Sequence, residues 1–481
     1  MNLRFLSYLM AVVVIIVGAG MLASAVVSAI YGDSDLAGML ISAAICLVVG
    51  VPAYVVSRNA RHAYVGFREG FVGAAGSWVV ATLFGAIPFV VTGVFGPLDA
   101  LFETMSGFTT TGASVLTDYA QPHGIMFWRS LTHWYGGMGI VVLFIALLPT
   151  TGAGAIRLFA AESPGPSTER LTPRLRDTAK NLWLIYVGMT VAEVLILMAV
   201  GLGPFSAITH AFGTMATGGF SPEAASVGTY DSWSVELVIV VFMVLAGGNF
   251  ALYYAFLSGR RWAVVRDPEF RLYIGILAVS TILIAASLLL AGSHDGPADA
   301  FRDALFQTVS IQTTTGYVSA DFDTWNSFAK ALLVVLMFVG GCAGSTAGGI
   351  KVVRLLLLAK NANRVLAQAV HPHAVIPVKM GRRVVPGHIM TGVLGYFFLL
   401  VMVYVVGVLL LATTNASLVT SATAVAATLN NVGPGLELVG PMLNFALIAP
   451  FGKVVLIIMM LVGRLELLAV ILPFTRAFWS R

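Results

Sequence analysis

The sequence predicts an all-α polytopic membrane protein with two N-terminal spans followed by four repeats arranged with pseudo-fourfold symmetry around one pore. Three observations carry this. Hydrophobic residues make up 58% of the chain and charged residues only 10%, with many apolar runs near the roughly twenty residues that cross a bilayer. Four short stretches of small, hydroxylated or amide residues around a glycine interrupt pairs of apolar segments: Thr110-Thr111-Gly112, Ala216-Thr217-Gly218, Thr314-Thr315-Gly316 and Asn431-Val432-Gly433. These breaks recur about every hundred residues, the mark of internal repetition.

The spans follow in order. The first two, near 3–30 and 36–56, form an extension over 1–57. The first is too long for the apolar region of a cleaved signal peptide and is expected to stay in the mature chain. Four repeats follow at 70–150, 182–258, 272–358 and 388–475, each with a span, a short segment, a break and a second span. The second spans are expected near 125–149, 233–258, 327–358 and 451–475. Ten spans place both termini on one side.

Charge gives the orientation. The termini and the segments 58–68, 157–180, 259–271 and 354–383 hold 21 of the 27 Lys and Arg residues, all on one side of this topology. The positive-inside rule makes that side cytoplasmic. The opposite side is acidic, with Asp99, Asp118, Glu223, Asp231, Asp321, Asp323 and Glu437 among its carboxylates. An acidic mouth favours cations, although acids also accumulate wherever positive charge is avoided. The topology accounts for the net charge of +5 without nucleic acid. Cys46 and Cys342 give neither a disulfide framework nor a thiolate metal site.

Irregular backbone at membrane depth is tolerated only where protein buries it or where it lines a wet cavity. Four breaks in register therefore point to one shared ion path. The segments preceding them, 101–109, 207–215, 305–313 and 422–430, are too short to cross and read as half-helices whose carbonyl ends favour a cation. Glycine accepts the backbone angles that turn carbonyls inward, and threonine hydroxyls add oxygens or hold the backbone. The expected coordinating carbonyls are those of Thr110, Thr111, Ala216, Thr217, Thr314, Thr315, Asn431 and Val432, with Gly112, Gly218, Gly316 and Gly433 shaping the turn.

A second glycine-rich run lies in the third repeat, with Gly340, Gly341, Gly344, Ser345, Thr346, Gly348, Gly349 and Lys351 inside 340–351. It breaks the span below the filter, and its functional reading is a mobile intramembrane gate; close helix packing by small residues is the alternative. Gly136-Gly137 and Gly247-Gly248 read as packing sites. The run lacks the lysine spacing and preceding strand of a phosphate loop. Arg464 lies deep in the last apolar run, where a lone Arg costs at least about 2.5–3.5 kcal/mol. It is expected to bond carbonyls of the glycine run or the filter and act as an electrostatic barrier, or else to pair with Glu466 or Glu193. Lys351 reads as a similar anchor or as a snorkelling lysine. His133, His210, His371 and His373 lack companions at metal-ligand spacing and read as structural or solvated. No nucleophile with a base is found, so the chain is not expected to be an enzyme.

The four breaks, the Gly-Gly-Cys-Ala-Gly-Ser-Thr-Ala-Gly-Gly-Ile-Lys run ending at Lys351 and the Gly-Arg-Leu-Glu around Arg464 resemble the Trk/Ktr/HKT superfamily, most closely its bacterial TrkH branch. The resemblance implies potassium (K+) uptake across a bacterial inner membrane and a homodimer of such pores. It also implies a TrkA-like cytoplasmic regulatory subunit with nucleotide-binding domains that this chain lacks. A glycine in every filter implies potassium over sodium. A gated channel is the leading mechanism; a proton- or sodium-coupled symporter and a sodium-permeable member of the superfamily are the alternatives.

Overall fold

The computed structural model describes residues 1–62, 66–147, 175–294, 296–381 and 383–480. Most of the basic segment 157–180 lies outside them. The described chain is helical, apart from one short antiparallel pair, Lys379–Met380 with Arg383–Val384.

Helices Leu3–Tyr31 and Leu36–Ser57 form the N-terminal hairpin. Small residues bring them together: a Cβ on Gly18 would sit 2.9 Å from that of Cys46. The hairpin turn is fixed to the first repeat by two carboxylates. Asp33 accepts from the His123 N–H at 2.6 Å, and the buried Asp35 accepts from the Ile125 N–H at 2.7 Å and from the Ser28 hydroxyl. Both acids cap the start of helix His123–Leu147, where unpaired N–H groups and the helix dipole favour negative charge.

Six described helices are each long and apolar enough to cross a membrane, and two bent pairs raise this to eight. The other two expected spans are His123–Leu147 and the pair Ser327–Phe338 and Val352–Val370, which residues 339–351 separate. Two expected continuous spans are broken. Trp233–Ala246 and Phe250–Leu257 meet at 95°, with Asn249 capping the second through the Ala251 N–H at 2.9 Å. Gly247-Gly248 therefore ends a helix, and the Gly247 carbonyl is taken by the Cys342 N–H at 2.8 Å. Pro450–Arg464 and Leu468–Phe474 meet at 115°. Glu466 and Leu467 adopt left-handed backbone there, which a continuous helix cannot accommodate.

Four half-helices pack among the longer ones: Pro97–Phe108, Pro204–Ala216, Pro297–Gln312 and Leu418–Leu429. Each starts three to eight residues before the expected segment. The first three follow a Gly-Pro pair, proline being suited to the first helical position; the fourth is capped by Ser417, which accepts from the Thr420 N–H at 3.0 Å. At about 1.5 Å per residue, none reaches 30 Å.

Candidate ion pathway

All four half-helices end in the same way. Thr110, Thr217, Thr314 and Asn431 hold left-handed backbone, with φ between 52° and 58°. The next residue's N–H then reaches back to a carbonyl inside the half-helix: Thr111 to Ser106, Gly218 to Gly213, Thr315 to Ser310 and Val432 to Ala427, at 2.8–2.9 Å. A positive-φ glycine follows in each case: Gly112, Gly219, Gly316 and Gly433.

In the second break this pattern falls one residue later than the sequence suggests. The expected triad was Ala216, Thr217 and Gly218, but the half-helix runs through Ala216 and the matching residues are Thr217, Gly218 and Gly219. A glycine doublet hides this register in the sequence, because either glycine can be taken as the anchor.

The four glycines meet their neighbours in a closed cycle. A Cβ on Gly112 would lie 2.1 Å from the Gly218 oxygen, one on Gly219 2.0 Å from that of Thr315, and one on Gly316 1.9 Å from that of Val432. One on Gly433 would lie 2.9 Å from the Thr111 oxygen, closing the ring. Any side chain at the first three would strike backbone. The four glycines also line one vestibule, with Ser114, Arg129, Ser221 and Glu223 in its wall.

Side chains brace the ring from behind. Thr109 and Thr111 hydroxyls lie 2.8 Å apart, as do those of Thr313 and Thr315. Asn431 Nδ2 donates to the Thr111 hydroxyl at 2.9 Å, joining the fourth break to the first. His133 is fully buried, stacks on Phe220 with ring centroids 4.0 Å apart and accepts from the Phe220 N–H at 3.4 Å. His210 bonds the Ser206 carbonyl and the Ser221 hydroxyl. Both histidines hold the second break in place.

The glycine run crosses the opposite side of the ring. Chain 339–351 folds on itself, with the Gly340 N–H on the Ile350 carbonyl at 3.0 Å and the Ile350 N–H on that of Phe338 at 3.2 Å. Its tip touches three half-helix ends. Thr346 donates to the Met215 carbonyl at 3.0 Å, the Gly348 N–H donates to the Thr314 hydroxyl at 2.7 Å, and a Cβ on Gly348 would lie 2.4 Å from the Asn430 oxygen. Arg464 completes the circuit, donating to the Thr346 carbonyl at 2.9 Å and the Gly136 carbonyl at 3.1 Å. Gly136 in turn abuts the Phe108 carbonyl that ends the first half-helix.

Arg464 is buried and ends its helix instead of lying mid-span. Of its suggested acidic partners, Glu466 pairs with Arg354, while Glu193 is fully buried with no hydrogen-bond partner among the described residues. Lys351 is also buried and donates to the Ala347 carbonyl, so it anchors the run and does not reach for solvent.

Several functional candidates escape a reading of the sequence. Glu269 accepts from the Ala343 N–H at 2.6 Å and the Val353 N–H at 3.1 Å, tying both ends of the glycine run to helix Pro268–Leu290. Glu103 and Arg129 form a buried pair at 2.6 Å beside the first break. The available signal is a charged residue inside an apolar segment, which needs a partner. Part of the acidic mouth is likewise structural: Asp99 pairs with Lys453, and Asp231 with Arg302, which also pairs with Glu236.

A family model described as TrkH, cation transport protein, matches residues 39–480. The Trk system potassium uptake protein TrkH of Salmonella typhimurium (strain LT2) is 39% identical, covering 100% of both chains. The TrkG protein of Escherichia coli (strain K12), also named as a Trk system potassium uptake protein, is 32% identical over 99% of each. The crystal structure of the potassium transporter TrkH from Vibrio parahaemolyticus matches with a TM-score of 0.91 at 37% identity, covering 100% of both chains.

Proposed function

The chain belongs to the TrkH family of cation transport proteins, and we propose that it takes up potassium across a bacterial inner membrane through a pore that the four breaks line. It is a membrane transport protein and not an enzyme. One observation carries the pore reading: four glycines with left-handed backbone each abut the carbonyl of the next break in a closed ring.

The repeats 70–150, 182–258, 272–358 and 388–475 each contribute a quarter of the pore. The ring of Thr111, Gly218, Thr315 and Val432 carbonyls, with those of Thr110, Thr217, Thr314 and Asn431 beneath it, replaces the water shell of the cation. In the second quarter Thr217 and Gly218 take the places first given to Ala216 and Thr217. The half-helix carbonyl ends add partial negative charge toward the same point.

The run 340–350 is the gate. Its tip and Arg464 span the four half-helix ends, so an ion leaving the ring meets backbone and a guanidinium charge. Opening requires the Thr346, Gly348 and Arg464 bonds to part. A cytoplasmic TrkA-like subunit with nucleotide-binding domains drives that movement, and the pore works as a homodimer with both termini cytoplasmic.

Potassium and sodium flux through the purified chain in liposomes, comparing wild type with Gly112→Ser, tests the reading. Potassium-selective flux that loses discrimination in the variant is expected. Equal potassium and sodium flux in the wild type contradicts it.

A further inference from the structure

We propose that Glu103 and Arg129 form a clamp that sets ion selectivity by fixing the vestibule ends of the first two filter strands, an assignment that rests on the filter reading above. Both side chains are almost wholly buried, at 1% and 3% exposure. Glu103 Oε1 accepts from Arg129 Nε at 2.6 Å and from the Ser114 hydroxyl at 2.8 Å, and its Oε2 accepts from the Val115 N–H at 2.8 Å. Arg129 Nη1 donates to the Ser221 carbonyl at 2.9 Å, and its guanidinium lies 3.6 Å from the centre of the Phe220 ring.

These bonds land immediately beyond the filter glycines. Ser114 and Val115 follow Gly112, while Phe220 and Ser221 follow Gly219. A single ion pair thus joins the exit of the first strand to that of the second. Selectivity for one cation radius depends on carbonyls held at fixed spacing or on the number of them kept in place. A buried pair with its bonds satisfied resists displacement, because parting it leaves a charge without a partner in low dielectric.

The other pairs between quarters differ in their contacts. Arg302 bonds Glu236 and Asp231, and Lys453 bonds Asp99, near the starts of half-helices and of flanking helices. They fasten the frame, whereas Glu103 and Arg129 hold the strands themselves. The pair touches no expected coordinating carbonyl, so both are positioning residues.

The test measures the potassium-to-sodium permeability ratio in liposomes for Glu103→Gln, Ser114→Ala, Arg302→Gln and Gly112→Ser, each checked for monodispersity by size exclusion. In Glu103→Gln an amide NH2 must face either the Val115 N–H or Arg129, and the guanidinium loses its counter-charge. A roughly tenfold fall in the ratio is expected, the scale of one charge-assisted hydrogen bond. Ser114→Ala, which removes one bond, should give a smaller fall, and Arg302→Gln should leave the ratio unchanged. Ser114→Ala carries the test if Glu103→Gln does not fold. A wild-type ratio in the folded clamp variants, with a changed ratio in Gly112→Ser, overturns the clamp and leaves the filter standing. An unchanged ratio in Gly112→Ser removes the filter reading and the clamp with it.

Discussion

The carbonyl oxygen of Thr315 stands 2.0 Å from where a Cβ on Gly219 would be, so the second filter strand can pass the third only because residue 219 has no side chain. Gly219 also holds φ at +79°, where a side chain costs about 1–3 kcal/mol in strain. The two penalties act on one backbone position that faces backbone, which has no rotamer with which to yield.

Gly219→Ala should therefore lose discrimination between potassium and sodium, as Gly112→Ser does, and no neighbouring truncation should restore it. Gly218→Ala differs, because its Cβ would lie 2.5 Å from Nδ1 of the His133 side chain. Discrimination lost in Gly218→Ala should return in part when His133→Ala is added. Liposome flux assays of the two single variants, and of each combined with His133→Ala, check this; rescue of Gly219→Ala by His133→Ala would contradict the assigned register.

Deleting residues 343–347 should raise potassium flux several-fold in the absence of any partner, since the loop tip lies across the half-helix ends. Arg464→Ala should also raise it, by removing the bonds to Thr346 and Gly136. Glu269→Ala frees the Ala343 and Val353 N–H groups and should give an intermediate increase. Wild-type flux in folded protein of all three variants would mean that the run is packing and not a gate.

Asp35→Ala should lower stability by about 1–3 kcal/mol, the cost of leaving the buried Ile125 N–H without an acceptor. Thermal unfolding in detergent measures it. Flux per folded molecule should hold, because the N-terminal hairpin does not reach the ring.

Glu437 gives the pH dependence. Hydrogen bonds from Ser417 first, and then from Thr420 at 2.8 Å, hold its carboxyl below the ordinary 4.5. A carboxylate lowered in the folded state stabilises it above the unfolded value, and that contribution disappears as pH falls through the folded value. The effect is small because Glu437 is exposed. Below pH 4.5 the melting temperature of the wild type should fall more steeply than that of Glu437→Gln; parallel curves would exclude the assignment.

Hydropathy and internal spacing made the spans, half-helices and breaks legible, because each reflects a bilayer constraint that acts on many residues at once. Span continuity was not legible. Gly247-Gly248 reads alike as a packing site or a helix end, and the kink after Arg464 depends on left-handed Glu466 and Leu467, residues with no special preference for it. The register of the second break was obscured by its two glycines. Glu103, Arg129 and Glu269 were missed because their partners lie far away in sequence or on backbone amides that carry no residue signature.

The ring itself is tested most directly by anomalous scattering from crystals soaked in thallium, a heavy substitute for potassium. A peak on the pore axis within coordinating distance of the Thr111, Gly218, Thr315 and Val432 carbonyls is expected. Thallium bound elsewhere, with none at those four carbonyls, would contradict the assignment of the filter.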